Sequence, residues 1–210
     1  MGRSINPDIV YRTVNVSAPD MSKDGKFLTF TKSWVDEHEL EDRSQIELAS
    51  LEDGSIVRFT HGQKDSHPSF SHDDKYLGFL RADSHGKNQV WIIPTRGGEA
   101  SQVTKLIGGV SDVAWSPTDY RIVIVSNVDP DELPTDHDPK KNIPLIVEPR
   151  IKYRHDVLGW RGDSHRQLFV ADIMTGDCNQ ITSGDFENYA PAWSPNGSNI
   201  AFISERSDDR

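Results

Sequence analysis

Pro191-Ala192-Trp193-Ser194-Pro195-Asn196-Gly197-Ser198-Asn199-Ile200-Ala201-Phe202 decides the fold, because the chain writes the same pattern three times more. The other copies are Pro19-Asp20-Met21-Ser22-Lys23-Asp24-Gly25-Lys26-Phe27-Leu28-Thr29-Phe30, then Pro68-Ser69-Phe70-Ser71-His72-Asp73-Asp74-Lys75-Tyr76-Leu77-Gly78-Phe79, then Val113-Ala114-Trp115-Ser116-Pro117-Thr118-Asp119-Tyr120-Arg121-Ile122-Val123-Ile124. Each passes from an apolar residue into Ser, through a turn, and out into an alternating apolar run. A unit this short cannot bury its own apolar face and must stack on copies of itself. The register serines Ser22, Ser71, Ser116 and Ser194 are spaced by 49, 45 and 78 residues. The first two intervals lie near the roughly 40 to 50 residues of a four-stranded propeller blade, and the third exceeds them by one insertion.

A second repeat interleaves with the first. It runs from Gln45-Ile46-Glu47-Leu48 to Phe59-Thr60, from Gln89-Val90-Trp91-Ile92 to Val103-Thr104, and from Gln167-Leu168-Phe169-Val170 to Ile181-Thr182. Midway in each stands a turn signal, Asp53-Gly54, Gly97-Gly98 or Thr175-Gly176. Glycine takes positive φ without a Cβ clash, so these are hairpins. Each full repeat therefore supplies four short strands, in the second repeat at about 67–71, 75–82, 88–94 and 100–105. The apolar residues are β-branched or aromatic, and no long stretch has a helical period.

The expected fold is all-β, a β-propeller of four-stranded antiparallel blades with about three and a half blades present. The blades fall at about 18–60, 67–105 and 111–182, the third with an insertion over 128–165, and the half blade at 189–204. Residues 1–17 form an N-terminal extension with a short helix over about 6–16, Asn6 as N-cap and Pro7 in the first turn. A β-sandwich is the alternative, but it does not predict a two-part motif recurring in register. Propellers close with about four to eight blades. The chain is accordingly expected to be a piece of a longer polypeptide; the alternative is a small protein that closes by homo-oligomerisation.

Composition narrows the function classes. The chain has 210 residues, a net charge of −10 and one cysteine, Cys178. The acidity argues against nucleic-acid binding, where a basic face is needed. Mean hydropathy is −0.61. No apolar run approaches the roughly 18 residues of a spanning helix, so no membrane association is expected. The start, Met1-Gly2-Arg3-Ser4-Ile5-Asn6-Pro7-Asp8, lacks the apolar stretch of a signal peptide. With a single cysteine these features point to a cytoplasmic, reducing compartment.

No catalytic constellation is legible. The Gly-x-Ser-x-Gly of a hydrolase nucleophile elbow does not occur. The register serines recur once per blade, which marks a structural role capping the turn between the first two strands. His61, His67 and His72 are spaced by 6 and 5 residues with no accompanying metal-ligand pattern, and read as solvated loop residues. The acidic run from Asp129 to Asp138 lacks the glycine and terminal glutamate of a calcium loop. No metal and no cofactor is expected. Trp91, Trp115 and Trp193 sit at blade-interior positions and are expected in the core.

Gln180-Ile181-Thr182-Ser183-Gly184-Asp185 followed by Pro191-Ala192-Trp193-Ser194-Pro195-Asn196-Gly197 and Ile200-Ala201-Phe202-Ile203-Ser204 resembles the propeller repeat of two groups. One is the prolyl oligopeptidase family of serine peptidases, in its acylaminoacyl-peptidase-like branch. The other is the periplasmic translocation propeller of Gram-negative bacteria. The insertion separates them. Pro149-Arg150-Ile151-Lys152-Tyr153-Arg154-His155-Asp156-Val157-Leu158-Gly159-Trp160, leading to Arg166-Gln167-Leu168-Phe169-Val170-Ala171-Asp172, is similar to a stretch of the acylaminoacyl peptidases. The family's Asp-Gly is Asp156-Val157 here, so a tight turn is not assured. The opening, Asn6 to Val10 and Val16 to Pro19, also resembles that branch.

The resemblance covers the propeller half of the family. It implies a C-terminal α/β-hydrolase domain, absent from this chain, that carries a Ser-Asp-His triad beyond Arg210. It also implies a propeller that gates short N-acylated peptides and docks the hydrolase. The alternative is a translocation-type or scaffold propeller acting by protein–protein binding. Arg150, Lys152, Tyr153, Arg154 and His155 are the candidate substrate-binding residues. This basic, aromatic stretch is unlike the acidic remainder, and facing the tunnel or the hydrolase it would bind a peptide carboxylate by charge-assisted hydrogen bonds.

Overall fold

Short runs of Val, Ile, Thr and aromatics broken by Gly, Asp and Pro settle as pleated strands with tight reversals between them. The computed structural model describes residues 8–129, 154–155, 159–160 and 164–206, of which 154–155 and 159–160 by backbone alone. The chain forms two compact units, Met1–Thr104 and Lys105–Arg210.

The first unit opens with a one-turn helix α1 (Ile9–Arg12). Two four-stranded antiparallel sheets follow, each in chain order. The first holds β1 (Asn15–Met21), β2 (Phe27–Asp36), β3 (Glu41–Ser50) and β4 (Ile56–Arg58). The second holds β5 (Asp65–Phe70), β6 (Tyr76–Ala82), β7 (Asn88–Pro94) and β8 (Ser101–Gln102).

The second unit repeats the plan with β9 (Gly108–Trp115), β10 (Arg121–Val128), β13 (His165–Asp172) and β14 (Cys178–Gln180). Its spatial order, β14-β13-β10-β9, is again chain order once the separate hairpin β11 (Arg154–His155) and β12 (Gly159–Trp160) is set aside. A two-stranded sheet, β15 (Glu187–Trp193) with β16 (Ile200–Glu205), completes the described strands. Three four-stranded meanders and a half blade are the incomplete propeller that the repeat predicts.

The repeated residues recur because each does the same mechanical work. Ser22 accepts a hydrogen bond from the Phe27 backbone N–H at 2.9 Å and donates to Asp24 at 2.7 Å. Ser71 does the same with Tyr76 and Asp73, at 3.0 and 3.1 Å, and Ser194 with Asn199 and Asn196, at 2.9 and 2.7 Å. In the third copy the Ser116 hydroxyl meets Thr118, and the backbone reversal is held by Ser116 N–H to Arg121 C=O at 2.8 Å.

The second repeat is a matching staple. The Thr60, Thr104 and Thr182 hydroxyls accept the backbone N–H of Ile46, Val90 and Leu168 at 3.2, 2.9 and 2.8 Å. Thr104 and Thr182 also donate to Gln89 and Gln167 at 2.8 and 2.7 Å. These side chains replace ladder bonds, so the fourth strands end early. The strand expected over 100–105 is Ser101–Gln102, and Thr104 lies beyond it as an anchor.

Three of the first strands share a bulge. Ala18, His67 and Ala190 have φ of 48°, 51° and 51°, each just before a proline. The ladder slips there, between Ser17 and Asp20, Ser66 and Ser69, and Tyr189 and Ala192. Proline offers no N–H to the ladder and bends the strand at a fixed place.

Two expectations are corrected. The N-terminal helix covers Ile9–Arg12 rather than 6–16, with Asp8 at the N-cap position but no capping hydrogen bond from its side chain. Asn6 and Pro7 lie outside the described residues. Val14 and Val16 are β-branched, and β1 claims the backbone from Asn15 by pairing Asn15 with Ser33 and Val16 with Lys32. The tryptophans Trp91, Trp115 and Trp193 are half-buried rather than fully enclosed. The fully buried core is aliphatic and phenyl instead, with Ile46, Leu77 and Phe79 in the first unit and Ile122, Ile124 and Leu168 in the second. Among the described residues no helix is long and apolar enough to cross a membrane.

Candidate functional site

The connection from the second to the third strand is a short turn in the first sheet and a long excursion in the third. Glu37 to Leu40 join β2 to β3, whereas residues 129–164 lie between β10 and β13. Arg150, Lys152 and Tyr153 fall outside the described residues. Arg154 and His155 form β11, pairing antiparallel with Trp160 and Gly159 of β12; Asp156 and Val157 lie outside the described residues. The side chains of Arg150, Lys152, Tyr153, Arg154 and His155 lie outside what the structure describes.

The root of the excursion is firmly built. Val128 pairs with His165, and the ladder then runs unbroken to Arg121 and Asp172. His165 is buried, with Nδ1 3.6 Å from Glu187 Oε1. The Arg166 Nε and backbone N–H donate to Glu187 Oε2 at 2.7 and 3.2 Å. The Arg166 guanidinium also lies 4.2 Å from the Tyr189 ring centroid. Burial works to raise the Glu187 pKa, but the Arg166 hydrogen bonds and charge, with His165, outweigh it and hold the carboxyl below the usual range. This clasp ties β13 to β15 where the excursion re-enters the sheet.

Two clefts offer space. In the second unit a groove of about 500 Å³ lies between the third sheet and the half blade. Its walls are apolar at Val170, Ile181, Phe186, Trp193, Ile200 and Phe202, with two guanidinium groups, Arg121 and Arg206, beside them. Arg121 is committed: it binds Asp119 through Nε at 3.0 Å and Nη2 at 2.7 Å, donates to Gly197 C=O at 3.1 Å, and stacks 5.1 Å from the Trp193 ring centroid. The Arg121 hydrogen bond, with the backbone and Ser116, lowers the Asp119 pKa to about 2. Trp193 in turn donates to Ala114 C=O at 3.0 Å. Gly197 sits at φ +67°, and a Cβ there would lie 2.1 Å from Thr118 Oγ1, so only glycine fits this turn against its neighbour. The groove joins an apolar wall to an arginine that is already paired within the fold.

In the first unit a cleft of about 680 Å³ lies beside α1, with Ile9, Val10, Trp34, Arg43 and Lys64 among its walls. Arg43 pairs with Glu39, and Lys64 with Glu41 at 3.3 Å.

The register serines are turn staples in all four copies, as their recurrence predicts. His61 and His67 are exposed, and His72 is half-buried. The Arg166–Glu187 and Arg121–Asp119 groups were not legible as a motif. One signal was present: Arg121 stands five residues after its register serine, where the first two copies have Phe27 and Tyr76.

No protein-family model matches the chain. The chain is 28% identical over 206 residues to the uncharacterized peptidase YuxL of Bacillus subtilis, a match that covers 96% of this chain and 31% of that protein. The chain thus spans about a third of the curated relative's length. The acylaminoacyl peptidase of Pyrococcus horikoshii superposes with a TM-score of 0.74 at 17% identity, over 96% of this chain and 30% of that one. TolB from Acinetobacter baumannii superposes with a TM-score of 0.53 at 20% identity, over 87% of this chain and 36% of its own. Over nearly its whole length the chain is therefore similar to about a third of a curated peptidase and shares the fold of part of an acylaminoacyl peptidase, in line with the resemblance of the repeat motif.

Proposed function

We propose that this chain is the N-terminal propeller segment of an acylaminoacyl-peptidase-like serine peptidase, that it gates short N-acylated peptides and docks the hydrolase domain, and that it is itself non-catalytic. The observation that carries the reading is the sequence match to a peptidase over 96% of the chain but only 31% of the relative. The parent reaction is serine-type hydrolysis that releases an N-acylated amino acid or short acyl-peptide. Its triad belongs to the hydrolase part. The register serines are unsuited to it, because Ser22, Ser71 and Ser194 each donate to a residue two positions on and accept a backbone N–H within the same turn, with no histidine beside them in those bonds.

Within this reading Arg150, Lys152, Tyr153, Arg154 and His155 meet the substrate carboxylate. They belong to the 129–164 connection, which is longer than the second-to-third-strand connections of the other two four-stranded sheets, and loops set on a rigid scaffold are where binding groups collect. The clasp of His165, Arg166 and Glu187 supports the excursion at its root. A cytoplasmic location fits the single cysteine. A propeller that works by protein–protein contact is the second reading. It has the TolB likeness in its favour, at a TM-score of 0.53 against 0.74 for the acylaminoacyl peptidase.

The test is kcat/KM for acyl-peptides in the intact protein carrying Arg150→Ala or Arg154→Ala. Loss of a charge-assisted hydrogen bond of about 1.5 to 3 kcal/mol predicts a fall of roughly ten- to a hundredfold for the residue that touches substrate. Unchanged values in both variants would remove the substrate-contact assignment.

A further inference from the structure

One register position carries opposite charge in the two units. In the second unit the third strand opens His165-Arg166-Gln167, and the next first strand opens Glu187-Asn188. The Glu187 carboxylate accepts the Arg166 backbone N–H at 3.2 Å and Nε at 2.7 Å, and lies 3.6 Å from His165 Nδ1. Aligned on Gln45 with Gln167 and on Pro68 with Pro191, the first unit reads Arg43-Ser44-Gln45 and Lys64-Asp65. Lys64 therefore stands where Glu187 does, and Arg43 where His165 does. The Ser44 N–H has no such carboxylate and goes to Gln63 C=O at 3.1 Å, with Ser44 and Lys64 joined as a bridge. A base adjoins a base where the other unit supplies an anion.

Both cations line the cleft of about 680 Å³ beside α1. Its walls come from α1 and the two complete four-stranded sheets of the first unit. The Arg43 side chain is only 11% exposed. Among the described residues its one hydrogen bond runs from Nη2 to Glu39 in the exposed β2–β3 turn, which leaves most of a five-donor fork unspent. Lys64 Nζ lies 3.3 Å from Glu41, on an equally exposed side chain. Exposed ion pairs contribute little, so a ligand carboxylate displaces Glu39 and Glu41 at small cost. Trp34, Val35, Ile9 and Val10 make the cleft's apolar side. The wall's one acid, Asp42, is exposed, and it favours a monocarboxylate over a more highly charged anion.

We propose that this cleft binds a small organic carboxylate bearing an apolar group, with the carboxylate between Arg43 and Lys64 and the apolar group against Trp34, Val35 and α1. The planar guanidinium fork matches a carboxylate's two oxygens, the role that the Arg166 side chain and backbone play toward Glu187. The N-acylated amino acid of the proposed reaction belongs to this class of ligand. The site nevertheless stands on its own geometry, apart from residues 150–155.

The experiment titrates hydrocinnamate, and separately its uncharged amide, into the intact protein, and reads calorimetry together with amide hydrogen exchange. The expected result is saturable binding of hydrocinnamate with slowed exchange at 33–36 and 42–46. The amide should bind at least about tenfold more weakly, as loss of a charge-assisted hydrogen bond predicts. Arg43→Gln should weaken hydrocinnamate by a similar factor and Lys64→Gln by less, whereas Glu39→Gln should tighten it by freeing Arg43. Lys64 and Glu39 are exposed, so their variants carry the test even if Arg43→Gln fails to fold. Absence of saturable binding, equal binding of the amide, or unchanged affinity in all three variants overturns the proposal. So does protection confined to residues outside the first unit, which would place the ligand elsewhere. Hydrolysis of acyl-peptides is no part of the readout, so this site and the peptidase reading fail separately.

Discussion

Phe79 and Phe202 hold the same place in the repeat, and one is sealed while the other is 37% exposed. The pairing extends to their surroundings. Ser71 and Thr104 are buried in the first unit, whereas Ser194 and Thr182 are half-buried in the second. The local chemistry is the same on both sides: the same turn, the same staple, the same alternation. What differs among the described residues is that β6 pairs with β7 as well as β5, whereas β16 pairs with β15. A blade motif therefore specifies its turns and pairings locally, but its stability comes from the neighbouring strand and blade.

Matched substitutions sharpen or break this contrast, read as unit-resolved stability by hydrogen exchange. Phe79→Ala should cost about 3 to 5 kcal/mol, as truncation of a sealed core phenylalanine does. Phe202→Ala should cost under about 1 kcal/mol, because its ring has little to lose. Equal costs would mean that the two walls are equally packed in solution.

Asp65→Ala comes next. Asp65 is 0% exposed and accepts both Arg81 Nε and Nη2, at 2.7 and 2.9 Å. Its loss leaves Arg81 between the Phe79 and Trp91 rings without its anion, and should cost about 3 kcal/mol or more in the first unit. A change below about 1 kcal/mol would show that the pair is solvated.

Thr104→Val should cost about 1 to 3 kcal/mol, since Gln89 Oε1 and the Val90 N–H lose their buried partner. Thr182→Val, half-buried, should cost less. The smallest pair is Ser71→Ala at about 1 kcal/mol against Ser194→Ala at about 0.5 kcal/mol. Reversal of either order would locate the difference between units somewhere other than burial.

The second unit carries an acid sensitivity of its own. The Glu187 pKa in the fold lies below its ordinary 4.5. A carboxylate with a depressed pKa contributes stability that is present above the unfolded value and lost as pH falls through the folded one. The second unit should therefore weaken progressively as pH falls below about 4.5, and Glu187→Gln should flatten that part of the profile. An unchanged acid profile in the variant would show that the Arg166 clasp does not form.

Much of the fold was legible because each repeated residue has a local job. Ser22, Ser71 and Ser194 close turns, and Thr60, Thr104 and Thr182 close fourth strands, so their spacing can be read directly. The lengths of the fourth strands were not, since Thr104 replaces a ladder bond with a side chain and ends the strand early. The helix end was overridden by the pairing of Asn15 and Val16 with β2. Trp91 packs on the core as its register position predicts, but like Trp115 and Trp193 it is half-buried, because the repeat gives the face a residue points to and not how completely that face is covered. The candidate site was hardest. Arg166 and Glu187 meet across 21 positions and no linear pattern marks them, whereas Arg121 and Asp119 are two residues apart and their one signal is Arg121's place five residues after its register serine.

The most direct test of the proposed role is the intact mass of the native protein, folded and denatured, after exposure to a fluorophosphonate probe. A non-catalytic propeller segment of a serine peptidase predicts that the label appears on a longer polypeptide or on a tightly bound second one, at a serine outside residues 1–210. A label on one of the register serines, or an unlabelled 210-residue species with no hydrolase beside it, would contradict that role.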